Sequence, residues 1–296
     1  MAFVRRRINV TLSLGQGNFG DSGKSNTVEL KGLRVSANIQ KGNSPGFDWA
    51  EVSIYGVTQS LMNTASLLGA PLSVTRNNGL EIEAGDDVAG MALVFRGTIQ
   101  HCSQNFQAAP DVCLVVGAQG GGLGAMAPVT PTSFPGVVDA ATIFTTIAAK
   151  MQPNPLTLEN AGVTAQVADQ YLSGTTTAQI DELKEAADCY ARVEDENSTL
   201  VIWPKGGSRS GKVPLISSAT GMVGVPSFAD KGINLRSLYF GGVRVGGLVQ
   251  VESKVVPNVT GQWRVNTLSY ELDSETPGGN WFMNIVGSRV DDGASQ

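Results

Sequence analysis

The sequence is poor in the residues that most chemistry needs. It holds one histidine, His101, and three cysteines, Cys102, Cys113 and Cys189, in 296 residues. A Ser-His-Asp triad would have to use that histidine, and a histidine-rich metal site is excluded. The cysteines are odd in number, widely spaced and form no Cys-x-x-Cys pair. They read as three reduced thiols, mostly buried, in a reducing compartment, with a Cys102–Cys113 bridge across a hairpin as the minority alternative. Charge is also scarce: 16% of residues are charged, against the usual ~25% of a soluble domain. The balance is mildly acidic, 21 Lys+Arg against 26 Asp+Glu, net −5. No run of about 18 apolar residues exists, so no membrane-spanning helix is expected. Three arginines stand at Arg5–Arg7, but an alternating segment follows them instead of an apolar one, and no signal peptide is expected. The sequons at Asn9, Asn197 and Asn258 then carry no meaning.

What is abundant is glycine, 36 residues, well above the usual ~7%. Tight turns must be frequent. A hydrophobic fraction of 42% excludes disorder, and the length fits about two domains.

Hydrophobic periodicity divides the chain. Ile8, Val10, Leu12 and Leu14 alternate with polar residues, the period of a half-buried strand. Val28 and Leu30 continue on even positions, while Leu33, Val35, Ala37 and Ile39 fall on odd ones. The phase break at Gly32 predicts a β-bulge. Strands are expected over 47–57, 72–82, 91–101 and 111–118, with a short helix over 58–68 and a turn at Asn77-Asn-Gly79. Residues 117–136, with six glycines, three prolines and no charge, read as a linker or long loop. Ala140, Ile143, Phe144, Ile147, Ala148 and Met151 then predict an amphipathic helix capped by Asp139. Thr176-Thr-Ala-Gln179 has the form of a capping box, ahead of a helical stripe at Ile180, Leu183, Ala187 and Tyr190. Residues 191–204 read as a hairpin turning at Asp195–Ser198. After 206 the pattern is β again, with Val243, Val245, Val249 and Val251 on one face, a turn at 257–261, and strands over 263–272 and 281–290.

The motifs that suggest chemistry lack their structural context. Gly15-Gln-Gly17-Asn-Phe-Gly20 is a literal GxGxxG, but a strand pattern follows where a pyrophosphate site needs a helix N-terminus. Gly17–Ser25 ends in Gly-Lys-Ser with a spacing one residue too long for a P-loop. Gly206–Val213 has the spacing but ends in Val, so the Mg²⁺-binding hydroxyl is missing. Both read as solvated loops. Asp86-Asp87 and Asp291-Asp292 read as turn and tail charges, and Glu182, Glu185 and Asp188 as a solvated helix face. His101 reads as a surface or turn residue, because neighbours in a strand point to opposite faces and Cys102 cannot be its nucleophile. Arg5-Arg6-Arg7 suits either phosphate or an acidic partner surface. No residue is assigned a catalytic, cofactor-binding or metal-binding role, and no cofactor is expected.

Three stretches in order carry a resemblance. They are the helix 139–151 followed by Gly174–Asp188, the hairpin ending Leu200-Val-Ile-Trp-Pro-Lys205, and the run Gly241–Ser253, Gly261–Tyr270 and Trp281–Ile285. This succession resembles the baseplate hub proteins of contractile-tailed bacteriophages, of the late control protein D type, over about residues 85–290. The resemblance implies a mainly β chain with an α+β insert. Two tail-tube-like β-barrel or sandwich domains, 1–130 and 206–296, flank a small α+β domain, 131–205, and part of 206–235 is expected to return to the first barrel. It implies a non-enzymatic structural virion protein: a homotrimeric hub that joins the sixfold tail tube to the trimeric spike. The hub forms part of the channel for DNA ejection, and DNA passes its lumen without sequence-specific binding. Tail tube protein, central spike, wedge proteins and tape-measure protein are the implied partners. The place is the virion tail baseplate, assembled in the host cytoplasm. No fused cell-wall hydrolase is visible. Loops 15–26 and 41–47 are candidates for reaching a neighbour. The alternative is a tail-tip carbohydrate-binding or phosphate-binding β protein.

Overall fold

The computed structural model describes residues 4–15, 18–19, 25–42, 48–66, 78–107, 109–121, 128–151, 155–229 and 232–290. The chain forms two compact units.

The first unit comprises residues up to 40, 48–120 and 270–282. It contains β1 (Arg6–Ser13), β2 (Thr27–Leu30), β3 (Val35–Lys41), β4 (Trp49–Tyr55), α1 (Gln59–Ser66), β5 (Gly79–Asp86), β6 (Gly90–Asn105) and β7 (Cys113–Gln119). The strands lie in the order β3-β4-β7-β6-β5-β1-β2, and neighbours in that order pair antiparallel. Period-two burial explains why. Ile8, Val10 and Leu12 of β1, Leu80, Ile82 and Ala84 of β5, and Ala50, Val52 and Ile54 of β4 are all buried at every second position. A one-residue slip would turn each set to water, so the apolar face fixes the register. Helix α1 buries Met62 and Ala65.

The second unit comprises 41–47, 121–269 and 283–296. Its α+β part holds β8 (Thr132–Asp139), α2 (Ala140–Ala148), β9 (Thr157–Asn160), β10 (Gln166–Leu172), α3 (Thr176–Ala186), β11 (Cys189–Glu194) and β12 (Thr199–Pro204). β8 and β10 form a two-stranded ribbon, and β11-β12-β9 a three-stranded sheet in which β9 and β12 run parallel. Ile143, Phe144 and Ile147 of α2, Ile180 and Leu183 of α3, and Ala191, Leu200 and Ile202 of the sheet share one core. Its β part holds β13 (Leu215–Ile216), β14 (Met222–Ala229), β15 (Gly232–Leu238), β16 (Leu248–Val251), β17 (Gly261–Ser274) and β18 (Trp281–Arg289). β14 pairs with β15, which neighbours β18, and β16 pairs with the start of β17. The β17–β18 hairpin has its base in this unit and its tip, 270–282, in the first.

Several expectations change. Gly32 lies in a turn between β2 and β3 with φ +69°. The antiparallel pairings leave β2 and β3 running in the same sense, so the phase break marks a bend between two strands rather than a bulge within a paired one. The register breaks fall elsewhere, at Ile82/Glu83 and Ile99/His101. The strand expected over 72–82 starts at Gly79, and residues 67–77 lie outside the described ones. Within the expected loop 117–136, β8 begins at Thr132. Pro135 and Gly136 disguise it, and an edge ribbon tolerates the missing N–H. The Gly136 N–H is taken by Asp169 Oδ1 at 2.7 Å, beside the register break at Ala168/Gln170. The cap of α3 is Thr175, which accepts from Ala178 N, one residue before the expected box. Gln179 is buried, accepting from Thr132 Oγ1 at 2.6 Å. Tyr190 lies on β11, outside the helix. Asp139 caps α2 as expected, through Ala141 N.

Candidate assembly surfaces and the polar junction

The arginine cluster is satisfied within its own unit. Arg5 pairs with Glu275 at 2.8 Å, Arg7 with Asp87 at 2.9 Å, and the Arg6 guanidinium lies 5.6 Å from the Trp281 ring centroid. Neither expected outside partner, phosphate or an acidic surface, is needed to account for these residues. Asp86 caps the β5–β6 turn by accepting from Val88 N and Ala89 N. His101 is exposed within β6, away from the expected strand end, with its ring across Gly117, where a Cβ would overlap it. All three cysteines are free and buried. Cys113 stands opposite Asn105 and Cys102 opposite Val116, so the register does not join them. Burial pushes the Cys102 thiol up to about 12 and the Cys189 thiol to about 11, which suppresses the reactive thiolate.

The first glycine loop falls largely outside the described residues. Its described ends show a hairpin: Leu14 N donates to Asn26 O, Phe19 bridges Ser25, and β2 follows. The second loop, 206–213, departs from the solvated reading. Arg209 is buried. Its Nη2 lies 3.0 Å from Glu159 Oε2 and its Nη1 2.5 Å from Glu194 Oε1, while its backbone N–H donates to Gly246 O at 2.8 Å. Arg192, also buried, lies with Nε 3.6 Å from Glu194 Oε1 and donates to Gly42 O. Lys41 pairs with Glu196 at 2.5 Å. Burial alone would raise the Glu194 carboxyl, but Arg209, Arg192 and Lys41 outweigh it and hold the group below the usual carboxylate range. Burial likewise opposes the Arg209 charge, and Glu194 and Glu159 overcome it.

Stacked rings complete this junction. Tyr190 stacks on Trp203 at 5.5 Å, with the Arg264 guanidinium 5.2 Å from the Tyr190 ring centroid. Arg264 also donates to Gly207 O at 2.7 Å and Ser288 Oγ at 3.1 Å. Gly246 has φ +78°, and a Cβ there would meet Trp203 Cζ2 at 2.8 Å. The loop that looked like a phosphate cradle is the pin that ties the α+β sheet to the C-terminal strands. The signal in the sequence was Arg209 itself, a charged residue in a glycine loop, and nothing local named its two glutamates.

The remaining features suit contact more than chemistry. Among the described residues, no cluster of three His, Cys, Asp or Glu could hold a metal ion, and no helix is long and apolar enough to cross a membrane. An open groove of about 430 Å³ runs past Leu248, Gln262, Trp263 and Arg289. Trp263 is buried there and donates to Val259 O, so it offers no ring face for a sugar. Trp203 and Trp281 are buried as well, and Trp49 is exposed. Exposed large apolar side chains include Val223, Val225 and Phe228 on β14 and Val137 and Tyr171 on the β8–β10 ribbon, besides Val88, Phe106 and Val255 in turns and loops.

Residues 7–283 match the family model described as baseplate hub gp41. The chain belongs to the baseplate hub gp41 family. It is a phage tail structural protein, and its place is the virion tail. Solved structures agree on the fold. A tail protein from Neisseria meningitidis MC58 matches with TM-score 0.64 at 11% identity, covering 95% of this chain and 96% of that one. The 43 kDa tail protein of prophage MuSo2 from Shewanella oneidensis matches with TM-score 0.61 at 9% identity, covering 96% and 99%. An E. coli component of the type VI secretion system, itself similar in structure to the T4 tail proteins gp27 and gp5, matches with TM-score 0.59 at 6% identity, covering 95% and 77%. The hub chain thus has the mainly β, tail-tube-like fold with an α+β insert. No curated protein matches the sequence.

Proposed function

We propose that the protein is a non-enzymatic, homotrimeric hub that joins the sixfold tail tube to the trimeric central spike. Three copies, each with two tube-like β domains, present six similar faces to the tube and three to the spike. The domains are 1–130 and 206–296, with the insert 131–205 between them. The ring forms part of the channel through which DNA and the tape-measure protein pass, without sequence-specific contacts. Wedge proteins flank it, and assembly takes place in the host cytoplasm.

The family match over residues 7–283 carries this reading. The molecule supports it: Arg5, Arg7 and the glycine-loop residue Arg209 are paired within the chain, and exposed strands carry apolar residues. Obligate assemblies cover such surfaces. The carbohydrate or phosphate reading has weaker support, because Arg209 is held by its glutamates and three of the four tryptophans are buried. Quantitative mass spectrometry of purified tails tests the proposal. Three copies per particle are expected, and a stable single copy would overturn it.

A further inference from the structure

The segment 206–213 covers the polar junction of the second unit with neither helix nor strand. It is fastened at few points. Gly207 donates to Pro204 O within its own turn and accepts from Arg264 Nη1 at 2.7 Å. The other ties run through Arg209. Its backbone N–H donates to Gly246 O, and its side chain donates to Glu159, Glu194 and Val245 O. Ser208, Ser210, Lys212 and Val213 form no hydrogen bond or ion pair among the described residues. Gly206 and Gly211 bracket the segment at φ +81° and +145°, conformations that glycine adopts freely and other residues rarely do. The segment thus has a pivot at each end and one bolt between them.

The closed position carries two costs. Arg209 and Glu194 are charges held away from water, and their pairing must offset that desolvation. Trp203 is fully buried with its Nε1–H unpaired, and a donor without water or partner forfeits a hydrogen bond. The Arg209 stem borders this ring. A Cβ built on Gly246 would stand 2.9 Å from Trp203 Cε2 and 3.1 Å from Arg209 Cδ.

We propose that residues 206–213 are an acid-released strap. Closed, Arg209 bolts it beside Trp203. Open, it swings on Gly206 and Gly211, returns the indole N–H and both carboxylates to water, and leaves the α+β core folded. Acid releases it because both side-chain partners of the bolt are carboxylates. Glu194 is faced by Arg209, by Arg192 of its own strand, by Lys41 and by Asn197 Nδ2 at 3.4 Å, with Asp195 and Glu196 next in the turn. Glu159 of β9 faces Arg209 from the other side. The folded Glu194 carboxyl lies below its ordinary 4.5, so the strap is closed above that pH and opens as pH falls through the lower folded value. The strap is a property of the single chain and holds whatever the copy number of the hub.

Hydrogen exchange of the full chain, read by mass spectrometry and corrected for intrinsic rates, tests it. In wild type at pH 7, exchange in 206–213 should stay level as urea is raised below the unfolding transition, the mark of a local opening. Exchange in helices α2 and α3 should rise with urea. Glu194→Gln at pH 7, and wild type below pH 4.5, should each speed exchange in 206–213 by about tenfold or more, while α2 and α3 stay protected. If 206–213 exchanges only in step with α2 and α3 as urea rises, or if Glu194→Gln leaves it as protected as wild type, there is no strap. The wild-type urea series needs no variant, so it decides the matter even if Glu194→Gln misfolds.

Discussion

The two units differ in whether charge enters the core: both carry ion pairs at the surface, and the second also buries some. In the first, ion pairs lie at the surface: Arg7–Asp87 and Arg96–Glu81 have both partners roughly 40–50% exposed, and the core beneath is apolar at every second strand position. In the second, Arg209, Glu194 and Arg192 are buried together, and their partners come from β9, β11 and the loop before β13. Exposed pairs contribute little because water and salt screen them and ordering long side chains costs entropy. Buried pairs are costly to assemble and far more costly to break, since a lost partner strands a charge away from water. The first unit therefore depends on its alternation, and the second on a few long-range contacts.

That contrast can be broken most severely at Arg209. Arg209→Ala leaves Glu194 buried without its main partner and should cost about 3–5 kcal/mol, seen as earlier urea unfolding with hydrogen exchange rising first in β9, β11 and β12. Next comes Gly246→Ala. It forces a side chain into a left-handed backbone and against Trp203, for a loss of about 2–4 kcal/mol, with a change in near-UV circular dichroism from the Tyr190–Trp203 stack.

Acid sharpens the comparison through Glu194. Its folded carboxyl titrates below the ordinary 4.5. Its stabilisation is therefore fully present above about pH 4.5 and is lost as pH falls through the lower folded value. Glu194→Gln should lower stability at pH 7 and flatten the loss below pH 4.5, measured by thermal unfolding across pH. The smallest effect is expected at the surface of the first unit. Arg7→Ala should change stability by at most about 1 kcal/mol, and less in high salt; a loss as large as that of Arg209→Ala would erase the distinction drawn here.

The same contrast explains what was legible in the sequence. Ile8-Val10-Leu12 and Ile143-Phe144-Ile147 repeat every two or every three to four residues, so strands, helix α2 and the Asp139 cap could be read locally. The hairpin could be read over 191–204 from its turn, though its first strand begins two residues earlier, at Cys189. β8 could not, because Pro135 and Gly136 imitate a loop, and only the pairing with β10 and the Asp169 contact makes it a strand. Arg209 could not either: its glutamates lie 50 and 15 residues away along the chain, and no spacing rule joins them. The Arg5–Arg7 cluster looked outward in the sequence and is answered inside the unit.

A reconstruction of the intact tail tip by electron cryomicroscopy tests the central claim most directly. The account predicts three copies of this chain in one ring between the tail tube and the spike. A ring of six copies, or a single copy placed away from the tube–spike junction, would contradict it.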